Sequence, residues 1–264
     1  VNEFARRAQL AHPNLVIATA NCNTQSGVGD PYLPFRELLT RLLGLAGQGP
    51  TEDATVPETT DQHAGLRRQS GQAFVEHGPD LIEIFVPGDA LLVADDDPAT
   101  PRGEWMDELA KLVQRQAHAA GQGSGVEQSH IFEQYTNLVK ALAVQQPLLL
   151  VVDDLQWVDS ASADLLFHLS RRIGERAILL VGTYRPDEVA LGRGGAAHPL
   201  EKVLAELKRY FGQIQVTLHE DDEQARRRFV DSLLDREPNR LNADFRRALF
   251  HHTGGHALFT LSQV

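Results

Sequence analysis

The sequence lacks the residues that several classes of protein require. A single cysteine, Cys22, cannot form a disulfide within the chain, so we expect a reducing, cytoplasmic setting. No apolar run approaches the roughly 20 residues that cross a bilayer, and we expect no membrane partner. Asp and Glu number 36 against 25 Lys and Arg, which gives a formal charge of −11. This acidic balance disfavours direct binding to nucleic acid, because such binding needs clustered basic residues.

What is present is a globular composition with alternating strand and helix patterns. Hydrophobic residues make up 42% of the chain and charged residues 23%, a composition that allows a sizeable core. Short apolar runs predict strands of a parallel sheet at residues 15–20, 148–152, 177–181 and 214–218. Amphipathic segments predict helices at residues 1–11, 34–43, 129–142, 165–173 and 199–211. This alternation predicts an α/β fold.

Two parts of the chain depart from the alternation. Residues 47 to about 128 carry many turn formers around helical patterns at 66–77 and 105–120, which predicts a helical insertion. Within it, the acidic run at 95–97 is interpreted as a solvated turn and the Gly-rich run at 121–125 as a linker. Beyond residue 219 only helices are predicted, at 222–234, at 242–252 and from 257 onward. We therefore expect a core of residues 1–219 and a small helical domain of residues 220–264.

The sharpest local signal is a pair of carboxylates at the end of an apolar strand. Asp153 and Asp154 follow the run Leu148–Val152, and ligands of parallel α/β sheets bind at the carboxyl ends of strands. One carboxylate there can hold Mg²⁺, usually through water, while the next can position or deprotonate an attacking water. Taken alone, the pattern also fits an ordinary buried strand that ends in acidic residues.

Three motifs in a fixed order extend this signal. The sequence LQWVDSAS follows the acidic pair at 155–162, GTYRP closes the next strand at 182–186, and TGG precedes an apolar helix at 253–255. This order resembles the ATPase modules of STAND regulators, a class of P-loop NTPases that are also described as Orc1-like AAA ATPases. Such modules stand at the front of bacterial multidomain regulators. The resemblance covers nearly the whole chain and is weakest across residues 47–128.

The resemblance implies a P-loop NTPase-like parallel sheet with a helical lid, and it implies roles for individual residues. Asp153 resembles the Walker B acid that coordinates Mg²⁺ through water, and Asp154 resembles the catalytic acid beside it. Arg185 resembles a sensor arginine at the end of the neighbouring strand, with Thr183 also at the nucleotide. A guanidinium there could pair with two phosphate oxygens and stabilise the charge that develops during transfer.

The charged side chains near these motifs also have explanations that involve no nucleotide or metal. Arg185 could be a surface residue that pairs with Asp187 or Glu188. Three histidines lie close together near the end of the chain: His251, His252 and His256. They have no acidic residue beside them and lack the spacing of zinc proteases, so surface or packing roles are favoured over a metal cluster.

Other motif residues also have simple interpretations. Trp157 is expected to pack under the following helix, and Asp159 or Ser160 to cap that helix. The segment Thr253–Gly255 resembles the family's lid motif near the adenine, yet Ala257 stands where proline is usual. Contact with the adenine therefore stays open, and a helix C-cap explains the two glycines.

The phosphate-binding loop is absent from the sequence. No Gly-x-x-x-x-Gly-Lys-Ser/Thr occurs, and there is no Gly-Lys pair. That motif supplies the backbone N–H cradle, the lysine for the outer phosphates and the hydroxyl on Mg²⁺. In the family it lies between the first strand and the helix whose tail resembles residues 1–11, so we expect a core without its first strand and loop, and a truncated lid. We expect this chain alone to bind nucleotide poorly, to be inactive, and to be unstable or aggregate.

The function that the resemblance implies is an ATP-binding and hydrolysing switch. ATP and Mg²⁺ bind between the core and the lid, and hydrolysis alters their packing. The implied partners are ATP or ADP, appended C-terminal sensor or output domains, and further copies through self-association on activation. Two alternatives stay open: a degenerate, non-hydrolysing interaction scaffold, and a Mg²⁺-dependent phosphohydrolase or nuclease that uses Asp153, Asp154 and Asp159.

Overall fold

A computed structural model describes residues 1–23, 31–45, 60–94, 104–120, 127–192, 195–217, 223–235, 239 and 241–263 of the chain. The acidic turn predicted at 95–97 and the linker predicted at 121–125 lie outside these residues. None of the described helices is both long and apolar enough to cross a membrane.

The described strands form one parallel sheet. β1 (Val16–Asn21), β2 (Leu148–Asp153) and β3 (Ile178–Gly182) lie in the order β1-β2-β3, and both pairs are parallel. The register places Val152 beside Ala20 on one side and beside Gly182 on the other. All three strands therefore end at the same edge, which we call the carboxyl edge.

The described residues form helices, most of them close to the predicted positions. They are α1 (Asn2–Ala11), α2 (Leu33–Leu42), α3 (Thr60–His77), α4 (Gly88–Ala94), α5 (Glu104–Ala120), α6 (Gln128–Leu142), α7 (Ser160–Ser170), α8 (Pro186–Leu191), α9 (Pro199–Phe211), α10 (Glu223–Leu234), α11 (Ala243–Thr253) and α12 (Ala257–Leu261). Short 3-10 turns occur at Pro79–Leu81 and Leu155–Trp157.

The chain divides into two compact units, Val1–Gly212 and Gln213–Val264. In the first unit, α3 packs against α5 and α6, so the inserted helices lie on the core. Gln134 of α6 holds the 3-10 turn there, because its Nε2 donates to Asp80 Oδ2 at 2.7 Å and its Oε1 accepts the Asp80 N–H at 2.9 Å. In the second unit, α10 and α11 share a small core made of Val230, Leu234, Leu249 and Phe250.

The two faces of the sheet are covered unequally. Alternate residues of β1 and β2 face the main core, which helices such as α2, α6 and α7 complete. On the other face, Ala5 of α1 packs against Ile17, Leu149 and Val151. That smaller cluster leaves β3 partly open, and Leu179 is 53% exposed.

The two edges of the sheet also differ. At β1, the Asn21 N–H donates to Glu37 Oε2 at 3.3 Å, and Arg41 Nη1 donates to Thr19 Oγ1 at 2.6 Å, so side chains of α2 cover this edge. At β3, the parallel ladder turns alternate backbone groups, those of Leu180 and Gly182, away from β2. Within the described residues no strand pairs with that side of β3.

The strand predicted at residues 214–218 is wrong over its described part. Residues 214–217 form no regular structure, and Val216 is 88% exposed. The apolar pattern is that of a strand, but a strand needs a neighbour for its backbone N–H and C=O groups. No described strand lies beside this segment.

Tyr135 in the main core gives a test of the packing. The side chain is fully buried, its hydroxyl donates to the Phe35 carbonyl at 3.0 Å, and burial raises its pKa far above the ordinary value of 10. Tyr135 ionises near pH 10 in the unfolded chain and stays neutral in the folded chain. Its contribution to the free energy of unfolding is therefore complete below about pH 10. Above it the free energy of unfolding falls by about 1.4 kcal/mol per pH unit. We expect Tyr135→Phe to lower the free energy of unfolding by about 1 kcal/mol at neutral pH. We also expect it to reduce the decrease of that free energy above pH 10; urea unfolding at each pH measures both.

The control is Tyr210→Phe, because Tyr210 is exposed on α9. It should leave the alkaline slope unchanged. An equal slope in the wild type and in Tyr135→Phe would contradict the burial of the Tyr135 hydroxyl.

Candidate functional site

The candidate site lies at the carboxyl edge, where β2 and β3 end side by side. Asp153 is the last residue of β2, Asp154 follows it, and Thr183 comes directly after β3. Two backbone bonds join the strand ends: the Thr183 N–H donates to the Val152 carbonyl at 3.1 Å, and the Leu155 N–H donates to the Thr183 carbonyl at 2.8 Å. The structure therefore brings three of the four predicted site residues together.

The hydroxyl of Thr183 contacts both aspartates. Its Oγ1 accepts the Asp154 N–H at 3.1 Å and donates to Asp153 Oδ1. A threonine hydroxyl has one donor and two acceptor positions, so it can make both bonds at once. Thr183 thus holds the side chain of one aspartate and the backbone of the next.

Asp154 adopts a left-handed backbone conformation, with φ 58° and ψ 43°. This region is costly for most residues, although Asp and Asn tolerate it better than others. The Trp157 N–H donates to the Asp154 carbonyl at 2.9 Å, which closes the 3-10 turn that follows. The conformation lets the chain leave β2 sharply while the carboxylate stays beside the strand end.

A buried amide that the sequence analysis missed lies next to Asp154. Gln156 is 2% exposed; its Nε2 donates to Asp154 Oδ1 at 2.8 Å, and its Oε1 accepts the Arg185 N–H at 3.3 Å. His198 contacts the same residue, because its Nε2 bonds to the Gln156 carbonyl at 2.9 Å. The only sequence signal was a polar residue between Leu155 and Trp157 in the first motif.

Arg185 reaches the site with its backbone, while its side chain turns outward. It is the N-cap residue of α8, and its Nη1 donates to Glu188 Oε1 at 2.9 Å. The Arg185 side chain is 71% exposed. The ion pair is the ordinary alternative that the sequence allowed, and such exposed pairs contribute little to stability.

The predicted cap after the acidic pair is confirmed. Asp159 is the N-cap of α7, and its Oδ1 accepts the Ser162 N–H at 2.9 Å. Trp157 is partly buried and packs against the main core. Among the described residues, no three His, Cys, Asp or Glu side chains are grouped so that they could hold a metal ion.

The predicted glycine cap in the second unit is also confirmed. Gly254 ends α11 with φ 62°, and the His256 N–H donates to the Thr253 carbonyl at 3.1 Å. A Cβ atom on Gly255 would lie 2.6 Å from the ring of Phe250, which explains the second glycine. The three histidines of this region are exposed: His251, His252 and His256.

Comparison with known proteins identifies a family. Residues 1–181 match the model of a family described as AAA ATPase domain. The matched part contains β1, β2 and both adjacent aspartates, and it ends within β3, before Thr183 and Arg185. No curated protein and no solved structure matches the chain.

The hydroxyl of Thr183 can be tested by its effect on stability. We expect Thr183→Val to lower the free energy of unfolding by about 1–3 kcal/mol, because the Asp154 N–H and the Asp153 carboxylate lose a partner in a partly buried site. Thr183→Ser keeps the hydroxyl and should lose less. Chemical denaturation of each variant gives the values.

Thr40→Val is the matched control, since the Thr40 hydroxyl donates to the Arg36 carbonyl one helical turn earlier. It should cost little. Equal losses in Thr40→Val and Thr183→Val would show that Thr183 does not organise the strand ends.

Proposed function

Because the chain belongs to the AAA ATPase domain family, we propose that it is the ATP-binding and hydrolysing part of a STAND-type nucleotide switch in a multidomain regulator. One observation carries the proposal: Asp153 and Asp154 lie at the carboxyl edge of a parallel sheet, tied to the neighbouring strand by Thr183. Ligands of such sheets bind beyond this edge.

The two aspartates have different chemical tasks in this proposal. Asp153 holds Mg²⁺ through water, since a partly buried carboxylate at the strand end suits a hard cation that prefers oxygen ligands. When bound, Mg²⁺ supplies positive charge that offsets the charge of the phosphates. Asp154 positions or deprotonates the attacking water. Its left-handed backbone and its bond from Gln156 hold the carboxylate for that task.

Thr183 and Arg185 complete the site in this proposal. Thr183 keeps Asp153 and Asp154 in place beside the nucleotide. Arg185 exchanges its exposed partner Glu188 for a phosphate oxygen, a change that costs little because exposed ion pairs are weak. A guanidinium can then bond two oxygens of one phosphate.

The open edge of β3 supports the proposal that the phosphate-binding loop lies beside β3. The backbone groups of Leu180 and Gly182 face away from β2, and Leu179 is exposed, whereas α2 covers the β1 edge. Proteins normally cover or pair a sheet edge, because a bare edge invites association. In this proposal the longer protein pairs a strand with β3, and the Gly-rich loop follows that strand at the carboxyl edge.

Turnover of ATP by the full-length protein tests the function. We expect Asp154→Asn to lower kcat about 100-fold or more with ATP affinity retained, since Asn keeps the backbone conformation but is no base. Asp153→Asn should raise the Mg²⁺ concentration needed for half-maximal rate. Asp164→Asn, an exposed aspartate on α7, is the matched control and should behave as the wild type.

Each other outcome points to one of the alternatives. Equal rates in the wild type and Asp154→Asn would remove the catalytic role of Asp154, and ATP binding with no turnover in the wild type would mean a scaffold that binds without hydrolysis. Mg²⁺-dependent phosphoester hydrolysis by the 264-residue chain alone, abolished by Asp159→Asn, would mean a metal-dependent phosphohydrolase.

Amide hydrogen exchange tests the pairing at β3. In the 264-residue chain, the outward amides of Leu180 and Gly182 should exchange much faster than those of Leu179 and Val181, which face β2. In the full-length protein all four should be protected. If fast and slow amides alternate in the same way in both proteins, no strand pairs with the outer side of β3 and this part of the proposal is wrong.

A further inference from the structure

The amide of Gln156 is held in a single orientation between the ends of β2 and β3. It donates to Asp154 Oδ1 and accepts from the Arg185 N–H, over 2.8 Å and 3.3 Å. A carboxylate oxygen can only accept and a backbone N–H can only donate, so these partners settle which end of the amide is nitrogen. The side chain is buried, where a lost hydrogen bond is costly.

The bond from Gln156 limits how the carboxylate of Asp154 can turn. Gln156 lies in the 3-10 turn that begins directly after Asp154, so donor and acceptor belong to the same short segment. Hydrogen bonds to a charged group are shorter and stronger than neutral ones. A base that must meet a water molecule loses much of its effect when it is misplaced by about 1 Å.

His198 fixes the backbone of Gln156 in turn. The ring is buried; its Nδ1 accepts the Leu200 N–H at 3.1 Å, so the other nitrogen carries the proton and donates to the Gln156 carbonyl. The same histidine is the N-cap of α9. A continuous series of hydrogen bonds therefore runs from the first turn of α9 through His198 and Gln156 to Asp154.

We propose that Gln156 is a positioning residue that orients the Asp154 carboxylate for hydrolysis, and that His198 clamps Gln156 in place. The inference rests on the proposed function and deepens it, because it ties the catalytic carboxylate to the start of α9. Gln156 acts through the carboxylate of Asp154 and is not itself the base.

Two substitutions of Gln156 in the full-length protein separate its two bonds. Gln156→Leu keeps the size and removes both. Gln156→Glu keeps an acceptor for the Arg185 N–H, yet it loses the donor and places a second carboxylate beside Asp154. We expect both to lower kcat about 10- to 100-fold while KM for ATP and the affinity for a fluorescent ATP analogue change less than about twofold.

A double substitution tests whether Gln156 works through Asp154. In an Asp154→Asn background, Gln156→Leu should cause no further loss of kcat, because the carboxylate that it orients is already gone. Gln134→Leu is the matched control, since Gln134 is another buried glutamine whose Nε2 donates to an aspartate, Asp80. It should lower the melting temperature and leave kcat unchanged.

His198→Asn tests the clamp. Asn can cap α9 through its side-chain oxygen but is too short to reach the Gln156 carbonyl as well. We expect His198→Asn to lower kcat about 3- to 10-fold. The double variant with Gln156→Leu should lose no more kcat than Gln156→Leu alone.

Three results would overturn the inference while the proposed function stands: a kcat for Gln156→Leu within twofold of the wild type although Asp154→Asn is impaired, full activity in Gln156→Glu, or losses from Gln156→Leu and Asp154→Asn that multiply. If the wild type shows no turnover, or Asp154→Asn matches it, the proposed function fails first and this inference fails with it.

Discussion

The parallel pairing of β2 with β3 is the interaction on which the rest of the structure depends. The aliphatic residues of β2 are buried on both faces, and each buried Leu or Val contributes about 1.5–3 kcal/mol. That burial anchors the strand, and the register then decides which side chains meet at its end. Thr183 reaches Asp153 and Asp154 only because β3 ends beside β2. An apolar strand interior thus holds a polar site in place.

Several departures from regular structure lie at this strand pair. Asp154 occupies a left-handed conformation, the buried amide of Gln156 depends on two specific partners, and the outer side of β3 has no strand partner among the described residues. Left-handed residues also occur at Tyr32 and Glu83, whereas the Asp159 cap and the glycines that end α11 follow ordinary rules. Local irregularity of this kind is expected where a protein binds or reacts, because function and regular packing make different demands.

Much of the fold could be predicted because its signals are local. Pro199 begins α9 and Gly212 follows its end, and the helix has the predicted bounds. The carboxylates of the site were also found locally, since they stand together after a run of aliphatic residues. The strand predicted at 214–218 was wrong for a different reason. Its apolar pattern is a local property, but a strand also needs a neighbouring strand, and the local sequence does not show whether one is present. The short helix α4 was missed, because seven residues carry little periodic signal.

The sequence by itself determined the α/β class, most helix and strand positions, and the adjacent aspartates, because apolar periodicity, caps and short motifs act over a few residues. Only the tertiary structure decided the strand order, the contrast between the covered β1 edge and the open β3 edge, and the meeting of His198 with Gln156 across 42 residues of chain. These outcomes depend on which distant segments pack together, and a hydrogen bond between distant residues leaves no periodic trace in the sequence.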